Sequence, residues 1–308
     1  MGILYSLFTL QMCENIANGS EFMTYVDCKS PLNYMGGKYN LVPQIVPLMP
    51  NDINTFIDLF GGGFNVGVAV FAKHIIYNDI CKQLCQLLQW FIDTSTQDVH
   101  EAVMSVIKEY ELLQVAPEKK TKFLQLRSDY NNDVANLGIV NVAKLYALIA
   151  CGFNNILRFN RKGEFNIPYG ERTYNSVLQM RLQCFVDRIH EIKDLTVTNK
   201  EYTDYRLYDF QSGDYLYCDP PYLNTLANYN VAWSEKQETE LRNMLNSLTQ
   251  QGVRWGLSND ISRNTTLYAW AVDNKYKIHT LSADYSNCHY KRKSDKYKAT
   301  EEVLITNY

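Results

Sequence analysis

The sequence predicts an α/β fold, with a doubly wound core sheet and a helical and β-hairpin insert between its two halves. Short apolar runs of strand length alternate with amphipathic helical patterns along most of the 308 residues. The first of these apolar runs ends in three consecutive glycines, and a strand followed by a glycine loop is typical of nucleotide-binding units. A chain of this length can bury one large α/β domain that carries an insert.

Composition and charge argue against several classes of protein. The formal net charge is −3, so the chain as a whole lacks a basic excess, and clusters that could contact nucleic acid have to be sought locally. No apolar run is long enough to cross a bilayer, and we expect no membrane partner. The eight cysteines show neither CxxC pairs nor a regular framework, which predicts free thiols in a reducing, cytoplasmic compartment and no metal site.

The first half of the core is predicted to open with a glycine-containing turn and a short helix, followed by two buried strands. Asp79 closes the second strand about 20 residues after the glycine loop, the offset at which an acid meets ribose hydroxyls in nucleotide-binding folds. The Lys-Ser/Thr ending of a P-loop is missing, so a nucleoside-like ligand is favoured over a triphosphate. In order, we predict a turn at 30–39, a helix at 40–48, a strand at 55–60, a glycine loop at 61–63, a helix at 66–71 and a strand at 75–79.

The middle of the chain is predicted to be helical over 82–133 and 140–150, with apolar residues at helical spacing, and to continue into a polar hairpin. Lys162-Gly163 lies between two apolar runs and predicts the turn of a β-hairpin within 153–170. This segment carries more cations and asparagines than a buried hairpin could satisfy. Arg and Asn are the side chains that read guanine and adenine edges, so base contact is one interpretation and a solvated surface hairpin is the other.

Residues 214–222 carry the strongest chemical signal. An apolar strand runs into Asp219, Pro220, Pro221 and Tyr222. Because the prolines fix φ and cannot donate to a sheet, they hold Asp219 at the carboxyl edge, where ligands bind in open α/β sheets. The group suits a planar molecule with an exocyclic amino group, whose hydrogens would bond to Asp219 and the Pro220 carbonyl while Tyr222 stacks on the ring. An ordinary turn that happens to contain two prolines is the alternative.

The remaining core elements are predicted to complete the sheet. We predict a helix at 177–192, a strand at 195–197, a strand ending at Asp219, a helix at 235–249, a strand at 253–259 and a last strand at 302–308, which we place inside the sheet. A basic run at 291–298 has five cations and one acid. It is either a solvated loop or a surface for phosphates, and Lys291, Arg292 and Lys293 are the candidates for such contacts.

Taken together, these motifs resemble one known family, the Dam family of DNA adenine-N6 methyltransferases, also called the D12 class. The segments that carry the resemblance are 31–38, 58–63, 78–79, 163–170, 219–222 and 304–308. The resemblance implies a Rossmann-like methyltransferase sheet with an inserted target-recognition domain. It divides the chain into an N-terminal extension or tag at 1–26, a first catalytic part at 27–113, a target-recognition domain at 114–195 and a second catalytic part at 196–308.

The resemblance also implies the ligands and the roles of site residues. S-adenosylmethionine would be the methyl donor, double-stranded DNA the substrate, and a cognate restriction enzyme a further partner, in a bacterial or phage-infected cell. The implied catalytic residues are Asp219, Pro220 and Tyr222, acting on a flipped adenine. The implied cofactor contacts are Tyr34, Lys38, Phe60, Gly61, Gly63, Asp79 and Asp219. The predicted DNA contacts are Asn33, Asn154, Arg158 and Arg161, together with Lys291, Arg292 and Lys293.

Three positions depart from the family pattern. Asn33 stands where Dam has a lysine that touches the first guanine, so the target is expected to be GATC or a related site with a looser first position. Phe64 stands at the second glycine of the loop pattern, and Asn155 stands where many relatives have glycine.

Rival functions stay open on the residues alone. An amino-group methyltransferase acting on RNA or protein is one, since Asp/Asn-Pro-Pro-Tyr loops serve those substrates too. A catalytically silent DNA-binding relative is another, although the intact 219–222 segment argues against it. A cytosine-C5 enzyme is disfavoured because no Pro-Cys dipeptide occurs in the chain.

Overall fold

The computed structural model describes residues 25–34, 36–113, 118–137, 141–223, 233–262, 264–282 and 301–308. Within these residues, seven strands form one sheet in the order β3-β2-β1-β4-β5-β7-β6. The strands are β1 Thr55–Asp58, β2 His74–Asn78, β3 Leu195–Thr198, β4 Tyr215–Cys218, β5 Arg254–Asp260, β6 Lys277–Thr280 and β7 Glu302–Thr306. Strands β1 to β5 are parallel, whereas β7 runs antiparallel to β5 and β6. The predicted α/β sheet and the interior place of the last strand are confirmed.

The central strands are buried on both faces, as expected for a parallel sheet with helices on both sides. Side chains of β4 alternate between two cores: Tyr215 and Tyr217 pack into one, and Leu216 and Cys218 into the other. The helices are α1 Val42–Ile45, α2 Lys82–Asp93, α3 Thr96–Glu109, α4 Lys119–Leu137, α5 Val142–Cys151, α6 Ser176–Glu191, α7 Glu235–Gln250 and α8 Thr265–Asp273. None of the helices in the described ranges is both long and apolar enough to span a membrane.

Helix starts follow from local polar side chains, which accept hydrogen bonds from otherwise unpaired amides of the first turn. Ser95 caps α3, Asn141 caps α5 and Asn175 caps α6 in this way. Ser234 and Gln237 form a reciprocal capping box at the start of α7. The predicted helical pattern over 82–133 divides into α2, α3 and α4, and the Ser95 cap marks the start of α3 within it.

The helix predicted at 66–71 is wrong: the structure has only a 3-10 turn at Gly67–Ala69 between β1 and β2. Phe64 enters this crossover with φ of 59°, and residues 66–70 are all buried. An added Cβ at Gly67 would lie 2.2 Å from the Phe64 ring. The Phe64 ring therefore packs directly on the backbone of this turn, at a position that a larger residue could not occupy.

Other local predictions need smaller corrections. The segment predicted as one helix at 40–48 is α1 flanked by two 3-10 turns, because Pro43 and Pro47 interrupt the backbone hydrogen bonds. The predicted hairpin has a turn, with Gly163 at φ of 77°, but its two sides share only the isolated bridge Phe159↔Phe165 rather than regular strands. Sequence patterns did not predict α8, β6 or the 3-10 segment Tyr202–Leu207.

The topology fixes where a ligand can bind. Strand β1 lies between β2 and β4, so the chain leaves β1 toward one side of the sheet and returns to β4 on the other. The loops after β1 and β4 therefore diverge at a topological switch point and leave a crevice at the carboxyl edge. The glycine loop and the 219–222 segment are these two loops.

Candidate active site

Asp219 lies at the centre of the crevice, directly after β4. Its Oδ2 lies 2.9 Å from Lys38 Nζ, and its Oδ1 lies 3.3 Å from the Tyr222 hydroxyl. The side chain is 18% exposed, so one part of the carboxyl still faces the opening. Burial raises the pKa of Asp219, the Lys38 charge opposes that rise, and the charge of Glu302 adds to it. The group is thus a carboxylate held in a partly dry site beside a cation.

Lys38 connects the glycine-containing turn at 30–39 with the loop at 219–222. Its side chain is 5% exposed, and its ammonium donates to the Gly36 carbonyl at 2.9 Å in addition to pairing with Asp219. The same ammonium lies 4.9 Å from the centre of the Tyr222 ring, within the range of a cation–π interaction. The structure therefore brings together three residues that the sequence assigned to two different roles, cofactor binding and catalysis.

Glu302 is a member of this cluster that sequence reasoning missed. Its carboxylate accepts a hydrogen bond from the Tyr222 hydroxyl at 2.9 Å, and the residue is 4% exposed. A signal was available, because the first residue of an antiparallel strand lies at the edge where its parallel neighbours end. Without the sheet order, however, a glutamate at the start of the last apolar run resembles any surface acid.

The glycine loop after β1 packs tightly against the Tyr77 ring and the Leu32 carbonyl. An added Cβ would lie 2.2 Å from the Tyr77 ring at Gly61, and 2.7 Å from the Leu32 carbonyl at Gly63, so neither position can hold a larger residue. The Tyr77 hydroxyl donates to the Gly62 carbonyl at 2.9 Å. Packing on this side leaves the loop backbone free to approach a ligand on the crevice side.

Asp79 follows β2 and holds the glycine loop. One carboxylate oxygen accepts from the Gly62 amide at 2.9 Å, and the other accepts from the Cys81 amide at 2.7 Å. Burial raises the pKa of Asp79 to about 6, while these two amides oppose the rise. The predicted ribose contact stays a prediction. The hydrogen bond from the Gly62 amide shows that Asp79 holds the glycine loop in place.

Asp58 ends β1 beneath the same crevice. Burial raises its pKa to about 8, and the nearby charge of Asp219 contributes to the rise. The Gly67 amide donates to Asp58 at 3.3 Å. Asp58 therefore supports the crossover through the Gly67 amide.

Aromatic rings border the glycine loop on the side of α7. Phe60 lies 5.5 Å from the Tyr202 ring and 5.7 Å from the Trp233 ring, measured between centroids. The Trp233 indole donates to Glu238, a buried residue of α7, at 2.8 Å. Phe60 was predicted from the sequence, whereas Tyr202 and Trp233 were missed. Such a wall of rings suits the face of a flat heterocycle.

The predicted base-reading segment packs directly on the turn that precedes Lys38. Asn33 donates to the Asn154 carbonyl at 2.9 Å, and the Leu157 amide donates to the Asn33 carbonyl at 3.4 Å. Asn154 is exposed and has φ of 54°. These contacts place two predicted DNA contacts side by side at one end of the crevice.

Arg158 and Arg161 lie further along the same segment. The Arg158 guanidinium donates to Asn166 through Nε, at 2.9 Å from the side-chain oxygen, and through a terminal nitrogen to the Asn166 carbonyl at 3.4 Å. It is half-buried, whereas Arg161 is exposed at the turn. Asn166 therefore orients Arg158, and its remaining donors are available to a ligand. Lys291, Arg292 and Lys293 lie outside the residues that the structure describes.

Two departures from the family pattern have a structural reason. Asn155 has φ of 54°, a conformation that favours glycine, and its side chain donates to the Ile149 and Ala150 carbonyls at the end of α5. Phe64 also has positive φ, 59°, and packs edge-on against Tyr77. In both places a side-chain contact offsets the strain that glycine would avoid.

No group of three or more His, Cys, Asp or Glu side chains within the described ranges is arranged to hold a metal ion. A parallel sheet with a late antiparallel strand, a glycine loop and an Asp-Pro-Pro-Tyr loop at its switch point define the class of Rossmann-like methyltransferases.

Comparison with known proteins identifies the family. The model of the D12 class N6 adenine-specific DNA methyltransferase matches residues 34–287, so the chain belongs to this family. It is 38% identical over 292 residues to Type II methyltransferase M.FokI of Planomicrobium okeanokoites, and 35% identical over 292 residues to modification methylase StsI of Streptococcus sanguinis. It is 31% identical over 293 residues to modification methylase LlaI of Lactococcus lactis subsp. lactis. Each alignment covers 91% of this chain and 43% of the relative, so the chain spans less than half the length of these proteins.

Proposed function

We propose that this chain is a site-specific DNA methyltransferase that transfers a methyl group from S-adenosylmethionine to N6 of an adenine flipped out of duplex DNA. The observation that carries the proposal is the crevice at the switch point, where the carboxylate of Asp219 lies between Lys38 and Tyr222. Membership of the D12 class supports adenine N6 as the acceptor. GATC or a related sequence is the proposed target, with 114–195 as the recognition domain.

The residues around the glycine loop fit S-adenosylmethionine. The backbone of Gly61–Gly63 is held close to the crevice, Asp79 lies behind it, and Phe60 borders it with Tyr202 and Trp233. Glycines allow the close approach of a ligand, and rings can cover an adenine face. When bound, the cofactor supplies a methyl group on a sulfonium, which transfers to a nucleophile in line with its carbon–sulfur bond.

The work left to the protein is to make the adenine amino group a better nucleophile. Its lone pair is delocalised into the ring, and hydrogen bonds from the amino hydrogens to Asp219 and the Pro220 carbonyl favour the tetrahedral nitrogen of the transition state. As the new N6–carbon bond forms, the nitrogen gains positive charge, which the Asp219 carboxylate stabilises. The nitrogen then loses one proton, for which Asp219 is the adjacent acceptor. Until that point the positive charge of Lys38 favours the carboxylate form of Asp219.

Base reading is assigned to the segment beside the crevice. A base inside the duplex cannot reach Asp219, so flipping is required, and Tyr222 is placed to replace the lost stacking. We assign Asn154, Arg158, Arg161 and Asn33 to DNA contact, since Arg158 is oriented by Asn166 and Asn154 is exposed next to Asn33. The basic run with Lys291, Arg292 and Lys293 is proposed to contact phosphates. A cognate restriction enzyme is the proposed physiological partner.

The experiment compares Asp219→Asn with wild type in transfer of labelled methyl groups to duplex DNA. We expect a rate loss of about 10²–10³-fold or more, the scale seen when one preorganised electrostatic group is removed from an active site. Asp209→Asn is the matched control, since Asp209 is exposed in the loop before β4. An Asp219→Asn variant that turns over as fast as the control contradicts the assignment. Parallel reactions with RNA and with protein as acceptors separate the rival substrates.

A further inference from the structure

The Tyr222 hydroxyl lies between two carboxylates. It is 2.9 Å from a Glu302 oxygen and 3.3 Å from Asp219 Oδ1. A phenol carries one proton and can donate to only one of these acceptors at a time. The shorter contact is with Glu302, so this carboxylate is the better placed of the two to take the hydrogen bond.

Glu302 is rigidly placed for this contact. It is the first residue of β7, pairs with Asp260 in the antiparallel ladder with β5, and its carbonyl accepts from the Leu281 amide at 2.8 Å. At 4% exposure, its side chain cannot swing out into solvent. The neighbouring residue Glu301 is exposed, so the two adjacent acids have different surroundings.

We propose that Glu302 is a positioning residue for methyl transfer, which acts through the Tyr222 hydroxyl; the inference rests on the function proposed above. By accepting the hydrogen bond from the Tyr222 hydroxyl, Glu302 leaves Asp219 Oδ1 open to an amino hydrogen of the target base. By the same bond it holds the Tyr222 ring in one orientation. In that orientation the Lys38 ammonium lies over the Tyr222 ring, 4.9 Å from its centre.

The proposal differs from a purely structural role for a buried acid. If Glu302 only anchored β7, its removal would lower the stability of the fold and would weaken the binding of S-adenosylmethionine and of DNA together. If Glu302 positions Tyr222, its removal lowers the rate of the chemical step and leaves ground-state binding unchanged. The effect then depends on the presence of the Tyr222 hydroxyl. These differences define the measurement.

The test compares Glu302→Met with wild type in single-turnover methyl transfer to a duplex with one target site. Methionine is close to glutamate in length and removes the carboxylate acceptor, whereas glutamine would keep an acceptor oxygen. We expect the rate to fall about 10-fold or more, with the dissociation constants for S-adenosylmethionine and DNA within about twofold of wild type. Glu301→Met is the matched control and should keep the wild-type rate. In a Tyr222→Phe background, which is itself slower than wild type, Glu302→Met should cost less than about twofold, because the group through which it acts is gone.

Two results would overturn the inference: a Glu302→Met rate equal to wild type, or an undiminished loss in the Tyr222→Phe background. Should Glu302→Met fail to fold, Tyr222→Phe replaces it, since it removes the same hydrogen bond from the other side, and a wild-type rate for it rejects the proposal. A wild-type chain that transfers no methyl groups contradicts the proposed function itself, and the inference with it. An active wild type with an unaffected Glu302→Met variant contradicts only the inference.

Discussion

Asp219 lies beside a cation, a phenol and a second carboxylate, and these neighbours act on it in opposite directions. Burial raises its pKa, the ammonium of Lys38 lowers it, and Glu302 raises it again. Asp58 and Asp79 are also buried acids, and burial raises the pKa of both. The positive charge of Lys38 favours the carboxylate form of Asp219.

A pH profile follows from this arrangement. Asp219 accepts amino hydrogens only as a carboxylate, and a raised pKa means that it takes up its proton at a higher pH than an exposed aspartate, whose pKa is about 3.9. We therefore expect the single-turnover rate to decline as the pH falls, and to begin its decline at a higher pH than the protonation of an exposed aspartate would cause. Lys38→Met removes the opposing charge and should move the acid limb to higher pH.

The matched control for that profile is Lys120→Met, an exposed lysine of α4. Rates have to be measured at saturating S-adenosylmethionine, because Lys38 is also a predicted cofactor contact. If the acid limb of Lys38→Met coincides with that of the control, the lysine does not govern ionisation of Asp219.

At the residue scale, sequence patterns predicted the members of the crevice better than their contacts. Asp219 and Tyr222 were named as site residues because the two prolines between them mark a rigid loop, and Lys38 was named because the sequence resembles a known family. That Lys38 pairs with Asp219 depends on how two distant loops meet, which no local pattern encodes. Glu302 was missed for the same reason.

At the scale of elements, contacts at the end of α5 fix the direction in which the polar segment at 153–170 leaves the core. Asn155 adopts a left-handed conformation and donates from its side-chain amide to two carbonyls in the last turn of α5, at 3.2 and 2.7 Å. Its side-chain oxygen also accepts from Arg172 at 3.4 Å. The side chain thereby links the end of the helix to the start of the segment that carries Asn154.

Two substitutions separate the contribution of the Asn155 side chain to stability from that of its backbone conformation. Asn155→Gly keeps the left-handed conformation and removes the two helix-capping bonds, so we expect a loss of about 1–3 kcal/mol in the free energy of unfolding. Asn155→Ala removes the same bonds and adds about 1–2 kcal/mol of left-handed strain. Urea denaturation measures both. Equal stabilities for the glycine and alanine variants would show that the backbone is unstrained here.

The polar segment after α5 makes a prediction about specificity. Arg158→Ala should relax the methylated sequence at one position, because a bidentate contact to guanine is worth roughly 1–3 kcal/mol of discrimination. Lys162→Ala, which removes an exposed cation at the turn of the same segment, should instead weaken binding about equally on all sequences. Methylation profiles over a randomised duplex library check both. An unchanged motif for Arg158→Ala removes this residue from base reading.

Element prediction succeeded where a helix has an apolar and a polar face, and also in α5, where the buried apolar run is long enough for a helix. It failed on a short run that is buried throughout. Helices such as α2 and α6 show an apolar stripe against polar faces, so their period is readable. The crossover at 66–70 is buried throughout, and an all-apolar run has no period that separates a helix from a packed 3-10 turn. The hairpin turn was visible from Gly163, whereas the lack of regular strands beside it depends on contacts with α4, such as the pairing of Asn131 with Phe165.

At the scale of the whole molecule, the alternation of strands and helices was enough to predict the α/β sheet, and the prolines after Asp219 were enough to place this residue at the carboxyl edge. The antiparallel last strand has a functional consequence, because it returns its first residue, Glu302, to the edge where Asp219 lies. The 114–195 region holds α4, α5, the polar segment and α6, in keeping with its proposed role as a recognition domain inserted between the two catalytic parts.

The central claim is that this chain, although it spans less than half the length of the relatives it matches, methylates adenine N6 at a defined DNA sequence. The most direct measurement is to incubate the wild-type protein with S-adenosylmethionine and a randomised duplex library, and then to map N6-methyladenine by sequencing. We predict N6-methyladenine confined to one short motif, and none when Asp219→Asn replaces the wild type. Absence of N6-methyladenine from the wild-type reaction, or methyl groups accepted only by RNA or protein, would contradict the account.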